Sequence, residues 1–240
     1  GKDFDPEGYG ESVKNLYARY QDICDLFPEE IDDAALPYFA DWLTEKVYFI
    51  EIVTETEQDA HKVFVSMNDR GLSLTSAEML KGYLLSEVAD DQRREKLNDA
   101  WKAKMLALKE LGKSEEEDCI KAWLRAKYAE SIRENKKGAT PEDFDLIGGS
   151  FHKWVRDEHA RLGLNSSDDF DRFIEEFCKF ADIYIRLKHW EWEFSEKQPY
   201  LYYNAALSFT LQSQLCLAPI RVEDLGETIE RKILLVSRFI

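Results

Sequence analysis

The chain has 240 residues, of which 44% are hydrophobic and 13% are aromatic. This length fits one large domain or two small ones, and this hydrophobic content is enough for a substantial core. No apolar run approaches the roughly 20 residues that cross a bilayer, and no basic segment followed by an apolar stretch marks a secretory signal. We therefore expect neither a membrane span nor a secretory signal, and four widely spaced cysteines, mostly among apolar neighbours, favour a cytoplasmic protein.

Acidic residues are concentrated in the first quarter of the chain. Residues 1–60 contain sixteen Asp and Glu but only four Lys and Arg, so they account for −12 of the formal net charge of −16. Non-specific DNA binding needs cationic side chains that release counterions from phosphate, and an acidic surface repels a duplex at long range. We therefore expect no direct nucleic-acid contact. The acidic quarter is either a solvated surface or a surface that faces a basic partner.

The first elements are two helices and one candidate strand. Apolar residues recur at helical spacing from Val13 to Phe27 and predict an amphipathic helix that ends at Pro28, and residues 34–44 predict a shorter helix. Residues 46–54 are mostly β-branched or aromatic, which favours a strand. A strand without a partner leaves buried backbone groups unpaired. We therefore expect its partner in a missing segment or in another copy of the chain, or else in a short hairpin with residues 33–36.

Three polar residues and a glycine follow an apolar helical face that ends at Met67. We call them the NDRG corner: Asn68, Asp69, Arg70 and Gly71. Gly71 can adopt a positive φ and end the preceding helix, and Thr75 and Glu78 have the spacing of a capping box that opens the next helix. The corner is thus predicted to be held at both ends, which suits a site that binds a ligand or docks a domain.

The same stretch resembles a signature of the GmrSD-type restriction family, which consists of bacterial proteins with a ParB-like N-terminal domain. The matching residues are Phe64, Met67, Asn68, Arg70, Gly71, Leu74 and Thr75, followed by Met79, Leu80, Lys81, Tyr83 and Leu84. The resemblance implies a defence protein that acts on DNA with nucleotide dependence. The Asp-Gly-Gln-Gln-Arg string of the family's catalytic core is absent. The resemblance therefore implies a truncated piece, the helical region downstream of that core, with no catalytic residue of its own.

The NDRG corner has three interpretations. Its polar groups can satisfy loop backbone amides and one ion pair; the corner can dock onto the missing N-terminal catalytic domain; or Arg70 can contact a phosphate, which its planar guanidinium suits. Lys81 is either a surface cation or, as the resemblance implies, a helper to Arg70 at the edge of the same pocket.

Helical patterns continue to the end of the chain. We predict helices over residues 91–111 and about 115–128, a helix that starts at Thr140-Pro141 and is weakened or kinked at Gly148-Gly149, a long helix capped by Ser166 or Ser167, and two helices near 199–215 and 222–239. Helical spacing makes the aromatic stripe of the long helix a core stripe. The aromatic residues of segment 189–203 line a small cleft, form an exposed patch, or pack at a helix junction.

The predicted fold is mainly α, an irregular multi-helix bundle with one short β element near residues 46–54. Two lobes are expected, residues 1–88 with the corner and residues 89–240 as a helical tail, with one continuous domain as the alternative. The four cysteines and four histidines show no metal-ligand spacing, so no metal is expected. No cofactor is expected in the chain, and nucleotide use is expected only of the parent protein. The alternative function is a protein–protein interaction module with no catalytic association.

Overall fold

The structure is a computed structural model that describes residues 4–5, 11–28, 31–48, 51, 53–54, 75–134, 136 and 138–240. The chain divides into two compact units, residues 1–53 and 54–240. Ten helices occupy the described ranges, which confirms the mainly α class. None of these helices combines the length and the apolarity that crossing a membrane requires.

The first unit contributes two of these helices, α1 (Glu11–Leu26) and α2 (Leu36–Lys46). Between them the Asp32 Oδ1 accepts hydrogen bonds from the backbone N–H groups of Ala34 and Ala35, at 3.0 and 2.9 Å. This local side-chain bond fixes the turn that leads into α2. The predicted amphipathic helix that ends before Pro28 is confirmed.

The predicted β element at 46–54 is not supported. Lys46 is the last residue of α2, and residues 47, 48, 51, 53 and 54 are in no strand. Val47 is extended, with φ −95° and ψ 120°, but its N–H donates to the helix carbonyl of Leu43. β-Propensity describes how well a side chain fits a pleated, packed surface, so it does not by itself create a strand. Self-association through the 46–54 segment stays a prediction.

The described part of the second unit contains eight helices around one core. They are α3 (Ser76–Ser86), α4 (Asp91–Leu111), α5 (Glu115–Lys127), α6 (Asp143–Asp157), α7 (Ser167–Trp192), α8 (Pro199–Ala206), α9 (Gln212–Leu217) and α10 (Gly226–Phe239). The long helix α7 is central: it packs against α3, α4, α5, α8 and α9. Its predicted aromatic stripe is confirmed as core, because Phe170, Phe173, Phe177, Phe180 and Tyr184 are each at most 5% exposed.

Two helix predictions differ from the structure. Helix α6 begins after Glu142 rather than at Pro141, and the Glu142 N–H donates to Asp145 Oδ2 at 3.4 Å. The predicted helix over 199–215 is two helices, because Ser208 has a φ of 60°, a left-handed conformation that interrupts the helical path between α8 and α9.

Helix α3 belongs to the second unit, where it contributes Ala77, Leu80 and Leu84 to the core. It connects through residues 87–90 to α4, whose N-cap Asp90 accepts a bond from the Arg93 N–H at 2.7 Å. The predicted separation of two functional lobes near residue 88 stays a prediction.

The glycine pair of α6 yields a matched test of packing. A Cβ added at Gly148 would lie 2.3 Å from Arg125 Nη2, which donates to the Phe144 carbonyl at 2.9 Å, whereas a Cβ at Gly149 meets nothing within 4 Å. Gly149→Ala should therefore stabilise the chain by about 0.5–1 kcal/mol through helix propensity. Gly148→Ala should lose that gain, because displacing the guanidinium breaks hydrogen bonds worth about 1–2 kcal/mol.

Urea denaturation of both variants measures the difference, which should be about 1–2 kcal/mol in favour of Gly149→Ala. The kink predicted at this pair lies one residue later, at Ser150, whose φ of −153° and ψ of 59° leave the helical region. Equal stabilities of the two variants would contradict the close approach of Arg125 to Gly148.

Candidate functional site

The NDRG corner, Asn68 to Gly71, lies outside the described residues. The described part of the motif region begins at Thr75, the N-cap of α3, and includes Lys81. The geometry of the candidate site is therefore built from α3 and from the helices that pack against it.

The capping box at the start of α3 is confirmed. Thr75 Oγ1 accepts a hydrogen bond from the Glu78 N–H at 3.2 Å, and Glu78 Oε2 accepts one from the Thr75 N–H at 2.8 Å. These two bonds satisfy backbone donors that a helix start otherwise leaves unpaired. They fix the point at which the chain enters α3, four residues after Gly71.

Helix α3 is anchored on its apolar side. Leu80 and Leu84 are fully buried and Ala77 is 5% exposed. These positions are three or four residues apart, so they form one face of the helix. Helix α3 is therefore held by the core of the second unit.

Lys81 is half-buried on this helix. Burial lowers the pKa of its ammonium group, and nearby Lys102 lowers it further, whereas Glu78 and Asp99 act in the opposite direction. A cation in such surroundings is costlier to keep charged than an exposed one. Lys81 is thus a partly desolvated cation.

A surface depression that the sequence analysis missed lies beside α3. It has a volume of about 480 Å³ and is lined by Tyr83, Glu87, Arg156, His159, Leu164, Asn165, Ser166, Ser167 and Phe170. Burial and the carboxylate of Glu87 raise the pKa of Tyr83 to about 12, so its hydroxyl stays protonated. His159 Nδ1 lies 3.0 Å from the Arg156 carbonyl. Arg156 lies in the last turn of α6, and His159 follows the end of that helix.

A semi-buried polar network joins α5, α7 and α9. Lys188 Nζ lies 3.4 Å from Glu115 Oε1 and 3.4 Å from Glu191 Oε2. Tyr184 donates its hydroxyl hydrogen to Glu115 Oε2 at 2.6 Å, and Gln212 Nε2 donates to Glu191 Oε1 at 3.0 Å. Burial, followed by the bond to Glu115, raises the pKa of Tyr184. Because every charged member has a partner, the network reads as a link between helices.

The candidate metal ligands are dispersed in the described part of the chain. It contains no group of three or more His, Cys, Asp or Glu side chains arranged to hold a metal ion. Cys119 and Cys216 are buried, Cys178 is partly buried and Cys24 is exposed, and all four are free thiols. Burial raises the pKa of Cys216 to about 12 and that of Cys178 to about 11, which disfavours their thiolate forms.

Residues 2–85 match the family model described as the GmrSD restriction endonuclease, N-terminal domain. This part of the chain is similar to the GmrSD-type restriction family, and we call residues 2–85 the GmrSD-type region. The resemblance drawn from the signature residues is confirmed by this match. No curated protein and no solved structure matched the chain.

The GmrSD-type region includes α1, α2, the NDRG corner and nearly all of α3. Its last matched residue, Leu85, is one residue before the end of α3. The region therefore ends within a helix whose apolar face belongs to the core of the second unit. Tyr83, which lines the depression, and Lys81 also lie within the match.

Proposed function

We propose that this chain is a helical accessory region of a GmrSD-like bacterial restriction protein that acts on DNA with nucleotide dependence and serves in defence against phage. The observation that carries the proposal is the match of residues 2–85 to a restriction endonuclease domain, combined with the burial of α3 in the core of the second unit. The end of the GmrSD-type region, in α3, is thereby part of the core of the second unit.

The role of the chain is to support catalysis by a ParB-like core of the same protein. The NDRG corner docks onto that core and shapes the edge of its nucleotide pocket, with Arg70 and Asn68 as the polar contacts. Lys81 assists from α3, where its partly desolvated ammonium is attracted more strongly to an anion than a solvated one would be. Sixteen acidic residues within 1–60 oppose a direct DNA contact by this part of the chain.

A protein–protein interaction module is the second candidate, because α1 exposes an apolar stripe. Leu16, Tyr20, Ile23 and Leu26 are 61–79% exposed and follow helical spacing. A stripe of this kind fits a groove or helix of another protein. Under this alternative the corner is only a well-capped helix turn.

Substitutions in the complete parent protein separate the two candidates. Arg70→Ala, Asn68→Ala and Lys81→Met should each lower nucleotide hydrolysis and DNA cleavage by at least about ten-fold, the effect of losing about 1.4 kcal/mol of transition-state stabilisation. Their melting temperatures should stay within the narrow range of surface substitutions. Arg133→Ala, at an exposed arginine of the loop before α6, is the control and should leave both properties unchanged.

Two results would overturn the proposal. Retained activity together with a stability loss of about 1–3 kcal/mol, as for a broken buried polar network, would make the corner structural. Robust nucleotide hydrolysis or DNA cleavage by the isolated 240-residue chain would contradict its accessory role.

A further inference from the structure

The depression beside α3 is lined by hydrogen-bond donors that the described part of the chain leaves unused. Arg156 Nε donates to Asp157 Oδ1 at 3.2 Å, whereas its two terminal nitrogens donate to no described residue. The side-chain amide of Asn165 also has no partner among the described residues, since only its backbone N–H is bonded. Ser167 Oγ accepts the Ala89 N–H at 2.9 Å, which leaves the hydroxyl hydrogen of Ser167 to donate. These donors come from the end of α6 and the start of α7.

His159 supplies one more donor when its ring is protonated. Its Nδ1 lies 3.0 Å from the Arg156 carbonyl oxygen, which can only accept, so Nδ1 is the nitrogen that carries a hydrogen. The Nε2 atom is therefore an acceptor in the neutral ring and a donor in the imidazolium form. In that form, Arg156 and His159 together bring two positive charges to the depression.

Acidic side chains near the same depression limit the charge of a ligand. Glu87, Arg156 and Asp157 all lie close enough to Tyr83 to act electrostatically on its hydroxyl. The two carboxylates oppose any negative charge beyond what the two cations compensate. A phosphomonoester carries about 1.5 to 2 negative charges at neutral pH, which matches those cations. A triphosphate carries more charge than they compensate, and a carboxylate has only two oxygens to accept the donors.

The apolar side of the depression suits an organic group. Phe170 and Leu164 line it and are 5% and 3% exposed. The rings of Tyr83 and Phe170 are in edge-to-face contact, with their centroids 5.8 Å apart. The volume of about 480 Å³ is within the range of small-molecule sites, which combine apolar walls with a few polar groups. The depression therefore offers both an anionic subsite and an aromatic wall.

We propose that the depression beside α3 binds a small molecule that carries one phosphomonoester group. The phosphate oxygens accept hydrogen bonds from four side chains of α6, α7 and the loop between them: Arg156, His159, Asn165 and Ser167. The planar guanidinium donates two parallel bonds to such a group. Side chains rather than the backbone of the helix start form the site, because the N–H groups of Asn165 and Ser166 already donate to Asp169 Oδ2 at 3.2 and 2.9 Å.

The proposed site includes the end of the GmrSD-type region. Tyr83 lies within that region on α3, whereas Arg156 and Ser167 belong to α6 and α7. A bound ligand would contact all three helices and would stabilise the folded second unit by mass action. The inference goes beyond the proposed function and needs neither the NDRG corner nor catalysis by the parent protein. Failure of either one would leave the other standing.

Isothermal titration calorimetry of the 240-residue chain with three matched probes tests the inference. Phenyl phosphate has both groups that the depression would recognise, benzoate replaces the phosphate by a carboxylate, and inorganic phosphate lacks the ring. At constant ionic strength, which fixes the screening, phenyl phosphate should bind with a dissociation constant on the order of 1 mM or lower. It should bind at least about ten-fold more tightly than benzoate and at least about three-fold more tightly than inorganic phosphate.

Substitutions of Arg156 locate the site. Arg156→Ala should raise the dissociation constant of phenyl phosphate by at least about ten-fold, and Arg156→Lys by at least about three-fold, because an ammonium group lacks the planar fork. The Arg156 side chain is 51% exposed, so both variants should fold, and circular dichroism verifies this. Arg221→Ala is the control and should bind normally, since Arg221 is 74% exposed and also lies beside a neighbouring carboxylate, that of Glu223 at 3.8 Å.

Three results would overturn the inference. Benzoate that binds as tightly as phenyl phosphate would remove the preference for a phosphomonoester. Phenyl phosphate binding that survives Arg156→Ala would place the ligand elsewhere. A phosphoserine peptide that binds at least about ten-fold more tightly than phenyl phosphate, and that loses this affinity in Arg156→Ala, would assign the depression to a phosphorylated protein segment.

Discussion

Trp123→Ala is expected to lower the free energy of unfolding of the second unit by about 3–5 kcal/mol, the usual cost of removing a large buried side chain. Trp123 is fully buried on α5. Its ring lies 4.8 Å from Phe173 and 5.3 Å from Phe177, measured between centroids, so it joins α5 to α7. Its indole N–H donates to Glu176 Oε1 at 3.2 Å, and the Tyr128 hydroxyl donates to the same oxygen at 3.0 Å. The substitution therefore removes both packing and a donor to a partly buried carboxylate.

Trp123→Phe separates these two contributions. It keeps most of the ring contacts but removes the bond to Glu176, so it should cost about 1–3 kcal/mol. Trp192→Ala is the matched control, because Trp192 is 49% exposed at the end of α7 and should change stability by about 0.5 kcal/mol at most. Urea denaturation followed by far-UV circular dichroism provides the comparison. Equal losses for Trp123→Ala and Trp192→Ala would contradict the buried junction of α5 and α7.

Lys188→Met is expected to cost about 2–4 kcal/mol, because it removes the cation between two semi-buried carboxylates. The side chains of Lys188, Glu115 and Glu191 are 19, 16 and 10% exposed. Removing one partner of a buried ion pair is more damaging than the pair itself is stabilising, because an uncompensated charge remains. Here two carboxylates would lose the same cation, and α5 and α7 would lose the ion pair between Glu115 and Lys188.

A double-mutant cycle tests this explanation. Glu191→Gln in the Lys188→Met background removes one of the two stranded charges and should recover about 1 kcal/mol or more. Lys121→Met is the control, since Lys121 pairs with Glu117 at 3.1 Å in a more exposed setting and should cost less than about 1 kcal/mol. A Lys188→Met variant that is as stable as Lys121→Met would show that the network does not hold the three helices together.

The two predictions bear on the proposed function through the same helices. Trp123 and Lys188 hold α5 and α7 together, and α3 packs against both of these helices. Loosening that core would also destabilise α3, the helix in which the GmrSD-type region ends. If these variants lower a restriction activity of the parent protein, we expect the cause to be a lower free energy of unfolding. Arg70→Ala should instead lower the activity without lowering the free energy of unfolding.

Local signals in the sequence predicted much of this fold. The capping residues Thr75 and Ser166, the periodic apolar face of α4 and the aromatic stripe of α7 each depend on residues within a few positions of one another. The Ser166 N–H and hydroxyl, for example, donate to Asp169 Oδ2 at 2.9 and 2.7 Å, all within the first turn of α7. Interactions of this kind form wherever the segment is helical, so the sequence reveals them.

The wrong or missing predictions concern features that depend on contacts between distant parts of the chain. The β-branched residues after Lys46 needed a neighbouring strand, and the break at Ser208 carries no glycine or proline to announce it. The depression lined by Tyr83, Arg156 and Ser166 combines three helices that are far apart in sequence.

The sequence alone determined the helical class, the signature of the GmrSD-type region and the acidity of residues 1–60, because these are properties of order and composition. Only the tertiary structure decided that Lys81 is partly desolvated and that Lys188 lies between two carboxylates. Burial depends on which surfaces meet, and helices that are amphipathic in the same way can be packed in many arrangements.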